Sequence, residues 1–348
     1  MEDLIEVRSD ERFDLESLTR WFATQSNLPQ GSPKVRQFAG GKANLTYLLE
    51  FPDGEELVLR RPPLGPVAAS AHDMTREHMV LSRLWQTFEK APRALAICED
   101  LGVIGAPFFV MERKPGVVIR DRVPERFGGG QDPEANRKLS EVVIDTLVEL
   151  HAVDAVESGL DALGRPDGFL QRQVDGWWGR WERSRHEHNP VADEVGNWLR
   201  SNLPASGAPT LLHNDWRLDN MAVSPEDPGL CVAVYDWDMA TRGDPLADVG
   251  TLMASWYEED EERSTLAPMP TTAPGWMGRK ETLDRYGDLS GRDLTDIDWY
   301  VAFGTWKLGI VLQQIYIRWL QGQTEDTRFE PLGEGARALF RLAAARRP

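Results

Sequence analysis

The distribution of strand-like and helix-like patterns along the chain constrains its fold most. Before Gly116, short apolar runs alternate with turn residues such as Gly40-Gly41 and Pro52-Asp53-Gly54, which is typical of an antiparallel sheet. After Gly116, apolar residues recur mainly at helical spacing, as in 138–152 and from Asp296 onward. The sequence therefore predicts an α+β protein, with a small antiparallel sheet followed by a larger and mostly helical region.

The chain of 348 residues is too long for one typical core and fits two lobes. We expect an N-terminal lobe over residues 1–111. It should contain a leading helix, an antiparallel sheet and one further helix over 74–89. Residues 112–116 should link the lobes. Residues 117–348 should form the helical C-terminal lobe.

Composition excludes several classes of protein. The net charge of -17 disfavours binding to nucleic acid or to an anionic membrane surface. The sequence contains no run of about 18 apolar residues, so it predicts no membrane-spanning helix. Residues 1–20 lack the apolar segment of a signal peptide. The two cysteines, Cys98 and Cys231, are too far apart to suggest a disulfide framework or a zinc site. We expect a cytoplasmic protein with no nucleic-acid or membrane partner, and its oligomeric state stays open.

The most informative stretch is Leu212–Asn220, which reads LHNDWRLDN and contains the pattern H-x-D-x-x-x-x-N. Phosphoryl transfer needs a carboxylate that orients the attacking hydroxyl and accepts its proton, and it needs oxygen ligands for Mg²⁺. Asp215 suits the first task and Asn220 suits the second. The pattern therefore predicts a catalytic loop between two short strands.

A second element strengthens this interpretation. In the segment VAVYDWD, residues 232–238, an apolar strand ends at the carboxylate of Asp236. Phosphoryl-transfer enzymes place a Mg²⁺-binding aspartate after such a strand. Because Mg²⁺ prefers oxygen ligands and keeps several waters, Asn220, Asp236 and nucleotide phosphates would be sufficient.

In these motifs the chain resembles the aminoglycoside and choline phosphotransferase family, which has the two-lobe protein-kinase-like fold. The segments 213–220 and 235–248 are most similar to the phosphotransferase-like domains fused to some acyl-CoA dehydrogenases. The resemblance covers about residues 30–325. It implies a kinase that uses ATP and Mg²⁺ to phosphorylate an alcohol group of a small molecule, and GTP in place of ATP is left open.

The resemblance also implies which residues hold the nucleotide phosphates. Glycines in a loop over the phosphates allow backbone N–H groups to approach them closely. Arg60 stands where the family usually has a strand lysine, and Glu77 matches the helix glutamate that pairs with it. The residues assigned to the loop are Gly40, Gly41, Lys42 and Asn44.

The segment that leads into the linker matches the adenine site of the family. We expect adenine to hydrogen-bond to the backbone near Glu112 and Lys114. Met111 either packs beside the base or is a core methionine.

Three further charged residues are assigned roles by the resemblance. Arg217 stands where protein kinases often carry a lysine at the γ-phosphate, and a cation there would stabilise the developing charge. The alternative for Arg217 is an ion pair with Asp219 or Asp238. Asp238 is a candidate second metal ligand, and Asp248 is a candidate structural anchor of the loop.

The acceptor and the activity itself are the open points. The tryptophan-rich segment 169–186 and the branch resemblance favour an apolar hydroxy compound of hydroxyacyl-CoA type. The family name suggests an aminoglycoside, for which a pocket rich in carboxylates is expected, and the acidic run 258–262 is a candidate. Because Arg60 replaces the usual lysine, a non-catalytic nucleotide-binding protein is an alternative hypothesis. A protein kinase ranks last because no A-P-E-like element follows Asp236.

Overall fold

The computed structural model describes residues 4–39, 44–63, 73–259, 261, 269–323 and 327–348. These residues confirm the predicted α+β architecture, in which antiparallel strands dominate the first part of the chain and helices dominate the rest. The strands of the larger sheet are β1 (Leu4–Ile5), β2 (Lys34–Phe38), β3 (Leu45–Glu50), β4 (Glu56–Arg61), β5 (Ala94–Cys98) and β6 (Phe108–Glu112). They lie in the order β1-β2-β3-β4-β6-β5, and each neighbouring pair is antiparallel.

The helices of the described part are α1 (Leu15–Ala23), α2 (Met74–Leu84), α3 (Leu101–Ile104), α4 (Pro133–His151), α5 (Phe169–Ser184), α6 (Pro190–Ser201), α7 (Leu246–Ala254), α8 (Arg279–Ser290), α9 (Ile297–Leu320) and α10 (Leu332–Ala345). Several begin at a side chain that accepts hydrogen bonds from the first turn, such as Asp14, Asp73 and Asp132. None of the helices described, including α9, is long and apolar enough to cross a bilayer.

The larger sheet is covered on both faces, and this arrangement sets the direction of Arg60. Leu57 and Leu59 of β4 belong to a core cluster with α1, whereas Val58 belongs to the cluster that includes α2 and α4. Because alternate residues of a strand point to the same face, Arg60 shares the face of Val58. Its side chain is therefore directed toward α2 and the helical part of the molecule.

Two short sheets hold the predicted catalytic segments. One contains β7 (Val117–Val118), β9 (Met221–Val223) and β10 (Cys231–Val234), and the other pairs β8 (Thr210–Leu212) with β11 (Thr241–Gly243). The Asp215 segment therefore connects β8 to β9, and the Asp236 segment connects β10 to β11. Since both segments run between the same two sheets, they are brought side by side.

Helix boundaries differ from the sequence-based expectations in the second half of the chain. Helices α6, α7 and α8 were not predicted, and the continuous helix expected from Asp296 is divided into α9 and α10. Helix α4 begins at Pro133, five residues before the helical pattern that starts at residue 138, because Asp132 caps its first turn. The predicted linker, residues 112–116, lies between the end of β6 and the start of β7, and the lobe boundaries stay predictions.

Helices α7 and α9 pack closely because each has a glycine at the contact. A Cβ atom at Gly250 would lie 2.2 Å from the backbone oxygen of Tyr300, and one at Gly304 would lie 2.3 Å from the backbone oxygen of Gly250. The two backbones are therefore in direct contact, and any side chain at either position would force them apart.

We predict that Gly250→Ala lowers the free energy of unfolding by about 1–3 kcal/mol, the usual range for overpacking a core. Gly176→Ala is the matched control, because Gly176 also lies in a helix but a Cβ there would meet no atom within 4 Å. The control should instead gain about 0.5–1 kcal/mol from the higher helix propensity of alanine. Denaturant unfolding measures both variants, and equal shifts would show that the α7–α9 contact can relax.

Candidate active site

The structure brings Asp215 and Asn220 into direct contact. Nδ2 of Asn220 donates to the backbone oxygen of Asp215 at 2.8 Å and to its Oδ2 at 2.9 Å. Both amide hydrogens are then directed at Asp215, and Oδ1 of Asn220 remains as an acceptor. Asn220 therefore orients the carboxylate of Asp215 and offers one oxygen to a ligand.

The backbone of this loop is held by Asp248 from α7. Asp248 is fully buried, and its two oxygens each accept a backbone N–H at 2.7 Å, from His213 and Asn214. Burial raises the pKa of Asp248, but hydrogen bonds and the nearby His151 and His213 outweigh this and hold the pKa below its ordinary value. Asp248 is thus an ionised anchor, as the sequence suggested.

His213 connects the two predicted motifs. Its Nε2 lies 2.8 Å from the carbonyl oxygen of Tyr235, which can only accept, so Nε2 carries the hydrogen. Its Nδ1 is then the acceptor for the backbone N–H of Asp215 at 3.3 Å. His213 is therefore a scaffold residue and is not positioned as a general base.

Asp236 lies beside Asn220 and contacts Arg60. The backbone N–H of Tyr235 donates to the carbonyl of Asn220 at 2.8 Å, which places the following residue, Asp236, next to the loop. Asp236 has a φ of 65°, in the left-handed region that aspartate tolerates better than most residues. Its Oδ1 accepts a hydrogen bond from the Arg60 guanidinium.

Arg60 also pairs with Glu77, as the resemblance implied. Nε of Arg60 lies 2.9 Å from Oε2 of Glu77, and Oε1 of Glu77 accepts the backbone N–H of Trp237 at 3.3 Å. Glu77 is only 1% exposed. Burial raises the pKa of Glu77 to about 7, with Arg60 opposing the rise and Asp236 and Asp238 adding to it. The guanidinium of Arg60 is therefore the counter-charge for several carboxylates, and the site has a local excess of negative charge.

The oxygens of this cluster fit a magnesium ion. The described part of the chain contains no group of three or more His, Cys, Asp or Glu side chains arranged to hold a metal. Mg²⁺ usually needs only one or two protein carboxylates, because water and substrate phosphates complete its shell. Asn220 and Asp236 supply two oxygen donors beside a region of excess negative charge. Two such donors are enough for Mg²⁺ when water and phosphate oxygens provide its other ligands.

Arg217 forms the ion pair that the sequence left as an alternative to phosphate binding. Its Nε lies 3.4 Å from Oδ1 of Asp215 and one of its terminal nitrogens lies 3.2 Å from Oδ2 of Asp219. Burial raises the pKa of Asp219, although Arg217 opposes this. The expected contact with the γ-phosphate stays a prediction.

On the nucleotide side, Asn44 is only 3% exposed, and its carboxamide has no hydrogen-bond partner among the residues described. A buried amide without a partner is costly, so a ligand group at this position would be favourable. The other residues assigned to the phosphate loop, Gly40, Gly41 and Lys42, lie outside the described residues.

The linker residues are placed between β6 and the Asp236 segment. Met111 is buried in the core, and Glu112 pairs with Lys114 at 3.2 Å. The backbone N–H of Glu112 donates to Arg93, and the carbonyl of Lys114 accepts the Tyr235 hydroxyl at 2.6 Å. Because both groups are already used, an adenine here would bind other backbone groups of the linker.

Sequence reasoning missed Lys307, and it assigned no chemistry to His151, which the structure shows as a buried, packed side chain. Nζ of Lys307, from α9, donates to the carbonyl of Asn214 at 3.2 Å. His151 lies between the Tyr286 hydroxyl, 2.8 Å from Nδ1, and Asp248, 3.4 Å from Nε2. Lys307 was detectable as a single cation within a long apolar run, whereas no local signal distinguishes His151.

Comparisons with known proteins show the family to which this chain is related. The model of a phosphotransferase enzyme family matches residues 34–270. Acyl-CoA dehydrogenase family member 11 of Gallus gallus is 30% identical over 327 residues, covering 91% of this chain and 41% of that protein. The probable acyl-CoA dehydrogenase IBR3 of Arabidopsis thaliana is 32% identical over 338 residues, covering 91% of this chain and 40% of the relative. The chain thus spans less than half the length of these relatives.

Solved structures confirm the predicted protein-kinase-like fold. A protein of Ralstonia eutropha JMP134, provisionally assigned as an aminoglycoside phosphotransferase, superposes with a TM-score of 0.82 and 29% identity, covering 96% of this chain and 98% of that one. Choline kinase of Cryptosporidium parvum Iowa II has a TM-score of 0.63 at 11% identity, covering 96% and 95%, and shows the fold alone. By its sequence and its fold, the chain belongs to the phosphotransferase enzyme family.

Proposed function

We propose that this chain is an ATP-dependent, Mg²⁺-dependent kinase that phosphorylates a hydroxyl of a small metabolite. One observation carries the proposal. Asn220 hydrogen-bonds to the Asp215 carboxylate and its backbone binds that of Tyr235, so a candidate base and two candidate metal ligands converge. This is the arrangement that phosphoryl transfer needs.

Each described residue has a definite task in this mechanism. The acceptor hydroxyl attacks the γ-phosphorus, the bond to the β-phosphate oxygen breaks, and the hydroxyl proton passes to Asp215. Asn220 holds Oδ2 of Asp215, and Arg217 lies near Oδ1, so the carboxylate is fixed before the acceptor binds. Magnesium, when bound at Asn220 and Asp236, neutralises phosphate charge.

The contacts of Arg60 favour an active enzyme over a non-catalytic nucleotide-binding protein. An arginine can bind phosphate oxygens bidentately, so replacement of the usual lysine keeps the required charge. Arg60 forms the expected pair with the helix glutamate, Glu77, and it reaches Asp236. These contacts support the proposal of an active kinase.

The likeness to acyl-CoA dehydrogenase relatives supports a hydroxyacyl-CoA-like acceptor. An aminoglycoside acceptor has less support from the described residues. Glu261, in the acidic run considered for that role, is bound by Arg279 and Arg346. A solved structure of aminoglycoside 2'-phosphotransferase-IIIa holds GDP, which supports the use of a nucleotide by this fold. Comparing turnover with ATP and with GTP identifies the nucleotide that this chain prefers.

We predict that Asp215→Asn lowers turnover by about 10²–10⁴-fold, as expected for the loss of a general base, while MgATP affinity is retained. Turnover is measured as ADP release in the presence of hydroxy acids or their CoA esters as acceptors. Nucleotide binding is measured by calorimetry. Asp288→Asn, an equivalent change at an exposed position of α8, is the control. Full turnover by Asp215→Asn would refute the role of Asp215.

We predict that Asp236→Ala abolishes the Mg²⁺-dependent part of ATP binding, because the remaining oxygen of Asn220 is a weak ligand by itself. Calorimetric titration with ATP, in Mg²⁺ and in EDTA, separates the metal-dependent contribution. Asp288→Ala should bind as the wild type does. If Asp236→Ala retains the Mg²⁺ effect, the metal is held elsewhere.

We predict that Arg60→Ala destabilises the protein by about 3–5 kcal/mol, because it leaves the buried Glu77 without its cation. The loss should be larger at pH 8 than at pH 5. Glu77 has a raised pKa, so the native state takes up a proton more readily than the unfolded state, and protonation at low pH relieves the unpaired charge.

Denaturant unfolding at the two pH values measures this effect. Arg60→Lys should keep most of the stability, and Lys280→Ala, which breaks an exposed ion pair with Asp284, should change little. A pH-independent loss in Arg60→Ala would mean that Glu77 is not the carboxylate that Arg60 stabilises.

A further inference from the structure

We propose that Lys307, Arg180 and the ring of Trp177 form the acceptor side of the active site and select an acceptor that carries an anionic group. This inference rests on the proposed phosphoryl transfer at Asp215. It adds the charge of the acceptor and the residues that recognise it.

Lys307 brings a positive charge to the catalytic loop. Its Nζ donates to the carbonyl of Asn214, the residue before Asp215, at 3.2 Å. An ammonium has three donors, and this bond uses one of them. Within the described ranges Lys307 has no carboxylate at ion-pair distance. Burial lowers the pKa of Lys307, and the negative charges of Asp215 and Asp248 oppose that change.

Trp177 of α5 brings a second cation to the same place. Nζ of Lys307 lies 5.4 Å from the centroid of the Trp177 ring, and Cζ of Arg180 lies 4.4 Å from it. Arg180 is exposed, and the part of the chain described offers it no carboxylate partner. Two cations near one ring repel each other, so an anion that reaches both would be stabilised by both.

The other cations near Asp215 are already paired. Arg60 is bound by Glu77 and Asp236, and Arg217 is bound by Asp215 and Asp219. In a chain with a net charge of -17 carboxylates are abundant, yet within the described ranges none forms an ion pair with Lys307 or Arg180. Their charge is therefore available to a ligand, and the same charge would repel a polycationic aminoglycoside.

Two kinds of acceptor could supply this oxyanion. It is either the carboxylate of a free hydroxy acid or a phosphate of a CoA thioester. Four probes separate them: 3-hydroxybutyrate, its uncharged methyl ester, 3-hydroxybutyryl-CoA and kanamycin. We expect kcat/KM to be about ten- to a hundredfold higher for at least one anionic probe than for the methyl ester. Preference for the free acid identifies the carboxylate, and preference for the thioester identifies the phosphate.

The variants test which residues read the charge. Lys307→Met, which keeps the length of the side chain, and Arg180→Gln should each raise KM for the anionic probe about tenfold or more, with a smaller effect on the methyl ester. Arg183→Gln is the matched control, because Arg183 is an exposed arginine of the same helix outside the Trp177 contact. Arg180 is exposed, so its variant tests the idea even if Lys307→Met is unstable.

Calorimetric binding of the anionic probes makes the result independent of catalysis. Weaker binding in Lys307→Met or Arg180→Gln supports the inference even if turnover is absent. Turnover of the methyl ester or kanamycin at rates equal to the anionic probes, undiminished binding in both variants, or no binding of any anionic probe would overturn it. If Asp215→Asn keeps full turnover, the proposed function fails while anion binding by Lys307 stands.

Discussion

The contacts of Arg60 connect the three parts of the molecule that must cooperate. Its backbone belongs to the sheet, its Nε pairs with Glu77 of α2, and its terminal nitrogen binds Asp236 between β10 and β11. Burying the Arg60 guanidinium away from water is costly. This desolvation cost is offset only when the carboxylates of Glu77 and Asp236 are both in place. The position of the sheet relative to the catalytic loop is therefore coupled to the charge state of the site.

The loop itself is rigid for a different reason. Asp248 accepts two backbone N–H groups, and His213 bridges to the carbonyl before Asp236, so the loop depends on buried hydrogen bonds rather than on its own propensity. Asn214 and Asp236 both have a φ of 65°, a conformation that persists where surrounding contacts determine it. Preorganisation of this kind would let Asp215, as the proposed base, meet an acceptor without rearrangement.

Sequence reasoning recovered the parts of the fold with strong local patterns. The strands β2 to β6, the helix that carries Glu77 and the two polar segments were all predictable, because apolar alternation and turn residues mark them. Helices α6 and α8 were missed because their polar sequences resemble loops, and their stability comes from tertiary packing. The cation–ring cluster at Trp177 joins α5 to α9, and such long-range contacts leave no spacing that a single sequence reveals.

The glycine contact between α7 and α9 couples two parts of the proposed site. Helix α7 bears Asp248, which anchors the loop of Asp215, and α9 bears Lys307, so the close contact at Gly250 and Gly304 fixes the proposed base relative to the proposed acceptor side. Divergence toward new acceptors would then proceed by exchanging side chains on a fixed frame, since sliding either helix would also displace the base. A change in substrate preference should be separable from a loss of chemistry in this architecture.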